Sequence, residues 1–248
     1  MSDVIRLERP EPGIGVVVME DRNSRNTFSR EFVEGIRRVF AEISKDSSLR
    51  AVVIHGYDSY FCCGGTKNEL LTLTKGNVKF TDGMFFDLLL TCHLPVISAI
   101  QGHAIGGGLA FGAFGDILVM AEESIYSANF MRYGFTPGMG ATYILARKFG
   151  ELIAAEMLYS ANGYHGGELR ERGVNARIMP REKVIPTALA LARELADKPR
   201  VALIELKKQL AGPIREVLPS VVERELAMHE VTFTQPEVRE RIETFFGN

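Results

Sequence analysis

Three cysteines in 248 residues, Cys62, Cys63 and Cys92, leave no basis for a disulfide framework. Two of them are adjacent, and side chains that diverge from successive backbone positions do not make an ordinary zinc half-site, so no structural metal is expected. With so few thiols and no apolar signal stretch among the first residues, the expected setting is reduced and cytoplasmic. No run approaches the roughly 20 apolar residues of a membrane span. The glycines never fall as G-x-G-x-x-G or as G-x-x-x-x-G-K-S/T, which removes the two common ways of cradling a nucleotide phosphate, and no redox cofactor is expected. No G-x-S-x-G elbow presents a serine nucleophile. An excess of one charge is missing too: 29 basic and 31 acidic residues give a net charge of −2, with the signs interspersed, so nucleic acid has no electrostatic footprint here.

What is present is apolar residue, 46% of the chain, enough for one large core or a core with a small appendage. Apolar and β-branched runs predict strands near Val4 to Leu7, Gly15 to Met19, Ala51 to Ile54, Val96 to Ile100 and Ile117 to Met120. Between them, Ser29 reads as an N-cap ahead of Phe32, Val33, Ile36, Val39, Phe40 and Ile43, an apolar stripe at helical spacing. Strand and helix thus alternate, as an α/β layered fold requires. From about Thr142 the pattern turns almost wholly helical, with Pro180, Pro199, Pro213, Pro219 and Pro236 as expected boundaries. The expected organisation is a catalytic core over residues 1–190 and a helical C-terminal region over 191–248.

One stretch stands out: Gln101-Gly102-His103-Ala104-Ile105-Gly106-Gly107-Gly108-Leu109-Ala110 follows an apolar strand and enters an apolar helix. Glycine amides at a helix start can approach a ligand oxygen closely, with the positive end of the helix dipole behind them. Taken alone, the triplet would also suit a plain tight turn. A second elbow, Phe61-Cys62-Cys63-Gly64-Gly65, repeats the arrangement after Ala51 to His55. Two such elbows suggest two backbone N–H groups converging on one oxygen, the device that stabilises a thioester enolate.

With these elbows, the Gly134-Phe135-Thr136-Pro137-Gly138 segment and the helical last third, nearly the whole chain resembles the crotonase (enoyl-CoA hydratase/isomerase) superfamily. The resemblance implies a ββα-superhelix core with a helical C-terminal trimerisation region, and an assembly of three or six copies. It makes the amides of Cys63 and Gly107 the oxyanion hole, with Gly64 and Gly106 beside them. It also sets Ala110 and Phe130 where hydratases of the family carry their two glutamates, so the carboxylate pair that adds water is missing.

Gly64-Gly65-Thr66, Lys79-Phe80-Thr81-Asp82, Phe130 to Thr142 and Met228-His229-Glu230 are more specifically similar to the crotonase subgroup that decarboxylates 3-methylglutaconyl thioesters on acyl carrier protein during polyketide β-branching. That likeness implies Lys79 and His229 as the catalytic pair, with Lys79 orienting the departing carboxylate and His229 protonating the dienolate. Phe130 and Ala110 would keep the substrate pocket apolar. Without the resemblance, Lys67, Lys75 and Lys79 are three lysines of one polar segment and His229 is a helix histidine. The departure from the subgroup is Lys67-Asn68, where a glutamine-glutamate pair is the rule. Arg22, Arg25 and Lys67 are expected near the pantetheine entrance, and the alternatives are a CoA-thioester isomerase, another decarboxylase of the family, or a silent binding component of a synthase.

Overall fold

A computed structural model describes residues 4–75 and 85–246. An antiparallel hairpin, β1 (Ile5–Glu11) and β2 (Ile14–Met19), leads into helix α1 (Arg30–Lys45). Three strand pairs follow: β3 (Ala51–His55) with β4 (Tyr60–Cys62), β5 (Val96–Ile100) with β6 (His103–Ile105), and β7 (Ile117–Ala121) with β8 (Ile125–Ser127). The first member of each pair joins a large sheet and the second a small one. Helices α2 (Lys67–Leu73) and α3 (Leu88–Thr91) follow the first pair, and α4 (Gly107–Ala113) follows the second. The chain then runs through α5 (Ala141–Phe149), α6 (Glu151–Ser160), β9 (Gly163–His165), α7 (Gly166–Glu171), β10 (Arg177–Met179), α8 (Arg181–Ala196), α9 (Arg200–Thr232) and α10 (Pro236–Phe245). Repeated passage from one sheet to the other winds the core as a superhelix of ββα units.

The large sheet has the order β1-β2-β3-β5-β7-β10 and is parallel apart from the hairpin. Its central strands are covered on both faces, which is why they read as unbroken apolar runs. The two-residue period of a strand still divides them. Val16, Val18, Val53, Ile97, Ala99 and Val119 pack with Val184, Ala188, Leu191 and Ala192 of α8. Val17, Val52, Ile54, Val96 and Ile100 join a larger cluster with Phe32, Ile36, Val39, Phe40 and Ile43 of α1. Ser29 caps α1 by accepting from the Phe32 N–H, as its position predicts. Position 190 falls inside α8, whose residues on either side of it pack on the same sheet.

The last third, expected to be almost wholly helical, also holds β9 and β10, three residues each, too short to show a period. Strand β10 nonetheless completes the large sheet beside β7. Pro213 and Pro219 are not boundaries: both lie inside the 33-residue α9. Each is exposed, on a helix whose buried stripe is Leu203, Lys207, Ala211, Leu218, Val221, Glu225 and His229, so water can reach the carbonyls their rings displace. Pro180 and Pro199 do precede helices and Pro236 opens one. Among the described residues, no helix is long and apolar enough to cross a membrane.

Candidate active site

Strands β4 and β6 are parallel neighbours, Tyr60 beside His103 and Cys62 beside Ala104, so the two elbows leave the small sheet side by side. Gly64 (φ +75°) and Gly106 (φ +56°) make the turns in conformations that side chains resist. The backbones then touch. A Cβ on Gly64 would stand 2.8 Å from the Ile105 oxygen and 3.1 Å from the Gly107 nitrogen, and one on Gly108 only 2.1 Å from the Cys62 oxygen. Gly107 begins α4, so its N–H has no acceptor within the helix and points its partial positive charge outward. Buried Asn26 ties this corner to the hairpin, its Nδ2 donating to the Met19 and Phe61 oxygens at 3.0 and 2.9 Å. No spacing rule picks out that asparagine from the sequence.

Cys63, Gly64, Gly106, Gly107 and Phe130 line one cavity of about 810 Å³. Among its described lining residues there is no aspartate or glutamate, whereas Arg25, Lys67 and Arg132 bring positive charge. Its aromatic wall is Phe130, Tyr133, Phe135 and Phe246. Phe130 meets Phe135 edge-on at 6.2 Å, and Tyr133 stacks on Phe135 at 6.0 Å and tilts against Phe246 at 5.9 Å. Ala110 is fully buried in the core cluster one turn into α4 and does not line the cavity. Burial pushes the Cys63 thiol up to about 11 and raises Cys62 further, so neither is a thiolate near neutral pH.

Thr66 opens α2 with a capping box, its side chain accepting from the Glu69 N–H while the Glu69 carboxylate accepts from the Thr66 N–H. Lys67 reaches across from there to donate to the Glu243 carbonyl at 3.0 Å. Arg22 pairs with Glu20 and Asp58 and is half exposed. His103 accepts from the Ile125 N–H at 3.0 Å, a loop-supporting contact. No cluster of three or more histidine, cysteine or acidic residues able to hold a metal occurs among the described residues.

Lys79 lies outside the described residues. His229 is buried on α9, its Nε2–H donating to the Thr136 carbonyl at 2.8 Å and its ring edge-on to Phe233 at 5.1 Å. Burial lowers the imidazole pKa, against the opposing pull of the Thr136 and Pro137 carbonyls, so the ring is neutral at pH 7. It lines not the large cavity but a narrow cleft with Phe86, Gly138, Met139 and Glu225. Met139 stands between the two spaces together with Phe28: a Cβ on Gly107 would lie 2.7 Å from Cε2 of Phe28 and 2.9 Å from the Met139 sulfur. Neither Met139 nor Glu225 carries a spacing signal in the sequence that would mark it as part of a site.

The enoyl-CoA hydratase/isomerase family model matches residues 9–247. The bacillaene synthase decarboxylase PksI of Bacillus subtilis (strain 168) is 46% identical over 245 residues, 99% of this chain and 98% of that protein. A solved structure from a dehydratase/decarboxylase enzyme couple involved in polyketide β-branching superposes with a TM-score of 0.97 at 46% identity, covering 99% of this chain and 100% of that one. The ECH2 decarboxylase domain of CurF from Lyngbya majuscula gives 0.94 at 38% identity, over 99% and 100% of the two chains. These overlaps run the length of the chain and join it to relatives that are themselves decarboxylases, so it belongs to the enoyl-CoA hydratase/isomerase family as a carbon–carbon lyase of the decarboxylase type.

Proposed function

We propose that this chain decarboxylates a 3-methylglutaconyl thioester held on an acyl carrier protein, giving a 3-methylcrotonyl-type thioester in polyketide β-branching. The observation that carries the reading is a cavity bordered by two glycine elbows and, among its described lining residues, by no carboxylate. Water addition needs a base and an acid at the double bond; loss of carbon dioxide does not. As the bond to the terminal carboxylate breaks, its electron pair passes through the conjugated double bond into the thioester carbonyl. The oxygen that becomes negative is the one the Cys63 and Gly107 amides would hold. The thioester is its own electron sink, so the reaction calls for no metal or redox group.

Lys79 is assigned to orient the departing carboxylate as a compact cation, with its bond aligned to the π system. The aromatic wall around Phe130 limits the water that would solvate that carboxylate before it leaves. His229 is assigned to return the proton. In the structure its Nε2–H is committed to Thr136 and Met139 stands between the ring and the large cavity, so that step requires the ring and the thioether to shift.

An acyl carrier protein presents acidic surface and a phosphopantetheine phosphate, and Arg25, Lys67 and Arg132 supply complementary charge. The exposed Leu206, Leu210 and Val217 of α9 support the trimer or paired trimer implied by the family; the setting we propose is cytoplasmic. Mass spectrometry of 3-methylglutaconyl carrier protein after incubation tests the reading: loss of carbon dioxide is expected. Addition of water would make the chain a hydratase, and an unchanged cargo would leave it a binding component.

A further inference from the structure

Side chains of α9 hold one loop from end to end. Glu225 is 1% exposed, yet its Oε2 accepts from the Gly140 N–H at 2.6 Å, and its Oε1 accepts from the Thr142 N–H at 3.0 Å and the Thr142 hydroxyl at 2.6 Å. Those donors form the start of α5, whose N-cap residue is a glycine with no side chain to offer. Glu225 is therefore the cap of α5, supplied from 83 to 85 residues away, with its carboxyl oxygens at the positive end of that helix. One turn along α9, the His229 Nε2–H holds the Thr136 carbonyl, and Thr232 Oγ1 lies 3.4 Å from the Thr136 nitrogen.

The segment between these anchors has no slack. A Cβ on Gly138 would stand 2.5 Å from Cε1 of His229, and one on Gly140 (φ +75°) 2.5 Å from Cδ1 of Leu218. Between them Met139 is itself left-handed at φ +63°, an uncommon backbone for a long side chain. Its side chain is buried, and its sulfur shares with the edge of the Phe28 ring the space where any residue but glycine at 107 would put a Cβ. Gly107 lines the large cavity, while Met139 lines the cleft that holds His229. The thioether thus stands at the partition between the two.

We propose that Met139 determines specificity by closing the acyl chamber behind the Gly107 amide, and that Glu225 is the positioning residue that keeps Met139 there. The proposal rests on the thioester reading given above. A thioether is apolar and adaptable, so it seals an irregular gap without contributing a proton or a charge. Cutting it back would join the histidine cleft to the cavity, and a bulkier acyl branch would then fit. Releasing the α5 cap would do the same through Met139, since Glu225 lines the cleft beside it and not the large cavity.

The test is the affinity of the full chain for two non-hydrolysable pantetheine amides whose crotonyl-type acyl groups differ only in the β-substituent, methyl or propyl. Wild type should prefer methyl. Met139→Ala should move the ratio of affinities toward propyl by about tenfold or more, the scale of fitting extra methylenes into an apolar pocket. Glu225→Ala should move it the same way, and Glu225→Gln, which keeps one acceptor oxygen, should retain most of the methyl preference. A ratio measured on one folded protein does not move with general loss of stability. If Met139→Ala fails to fold, Met139→Val takes its place and the same direction is required. A folded Met139 variant with the wild-type ratio, or a wild type that binds both amides alike, overturns the proposal and leaves the decarboxylase reading standing. A wild type that binds neither amide overturns the thioester reading, and the proposal with it.

Discussion

The two sides of the site are built by different means. The elbow side is backbone: β4 and β6 run in parallel, and Gly64 and Gly108 let their turns touch at distances no Cβ would allow. The α9 side is made of side chains, Glu225, His229 and Thr232, reaching back some 83 to 96 residues to hold residues 136–142. Backbone devices are rigid and unforgiving of added atoms. Side-chain devices are replaceable one contact at a time, so damage to them should alter selectivity and product before it abolishes turnover.

Gly107→Pro breaks the elbow side most directly. It removes one oxyanion N–H and should lower decarboxylation by about 10²–10³-fold in a protein whose circular dichroism remains that of wild type. Normal turnover in such a variant would remove Gly107 from the role assigned to it.

Adding acids attacks the claim that the cavity must lack them. Phe130→Glu, alone or with Ala110→Glu, should slow single-turnover decarboxylation by about 10²-fold and give no efficient hydration, because a carboxylate there repels the substrate's own and admits water. Ala110→Glu carries a further penalty, since that position is buried in core rather than facing the cavity. Efficient decarboxylation by the double variant would contradict the account of a dry, acid-free site.

The catalytic pair separates cleavage from protonation. Lys79→Ala should slow release of carbon dioxide by tens of fold, whereas His229→Ala should release it within about tenfold of wild type while the ratio of α,β- to β,γ-unsaturated product shifts. Parallel assays of carbon dioxide and product isomers decide this. Unchanged rates and an unchanged product ratio in both variants would remove both assignments.

Smallest is a pH effect on the α9 side. The folded pKa of His229 lies below that of a free imidazole, so the unfolded chain binds the extra proton first as pH falls. The stability tied to its neutral form is complete above about pH 6.5 and is lost as pH drops below that value. Urea titrations from about pH 7 to 5 should show wild type losing stability faster than His229→Gln, by less than about 1.4 kcal/mol for each unit of pH. Parallel curves for the two proteins would mean that His229 is not held neutral by burial.

Legibility in the sequence follows the same division. The large sheet shows itself because strands buried on both faces must be continuously apolar, and the Ser29-capped stripe of α1 has a clear period. The glycine elbows are readable as a pair, since the triplet alone would also suit a tight turn and the second elbow at Cys63-Gly64-Gly65 decides between the two. The small sheet was hidden: strands of three residues such as β4, β6 and β9 carry no period, and their order depends on contacts across the chain. Pro213 and Pro219 misled as boundaries because a helix held by tertiary packing tolerates a proline on its wet face. Glu225 was invisible because a cap supplied from another helix leaves only a bare Gly140 at the helix it serves.

The central claim is that a dienolate forms here by loss of carbon dioxide, with no base to start it. Single-turnover reaction of 3-methylglutaconyl carrier protein in deuterated water, followed by mass spectrometry of the intact carrier, tests it most directly. The account predicts a product lighter by carbon dioxide that carries one solvent deuteron on carbon, with no deuterium entering the substrate beforehand. Deuterium exchange into unreacted substrate, or a product heavier by one molecule of water, would contradict it.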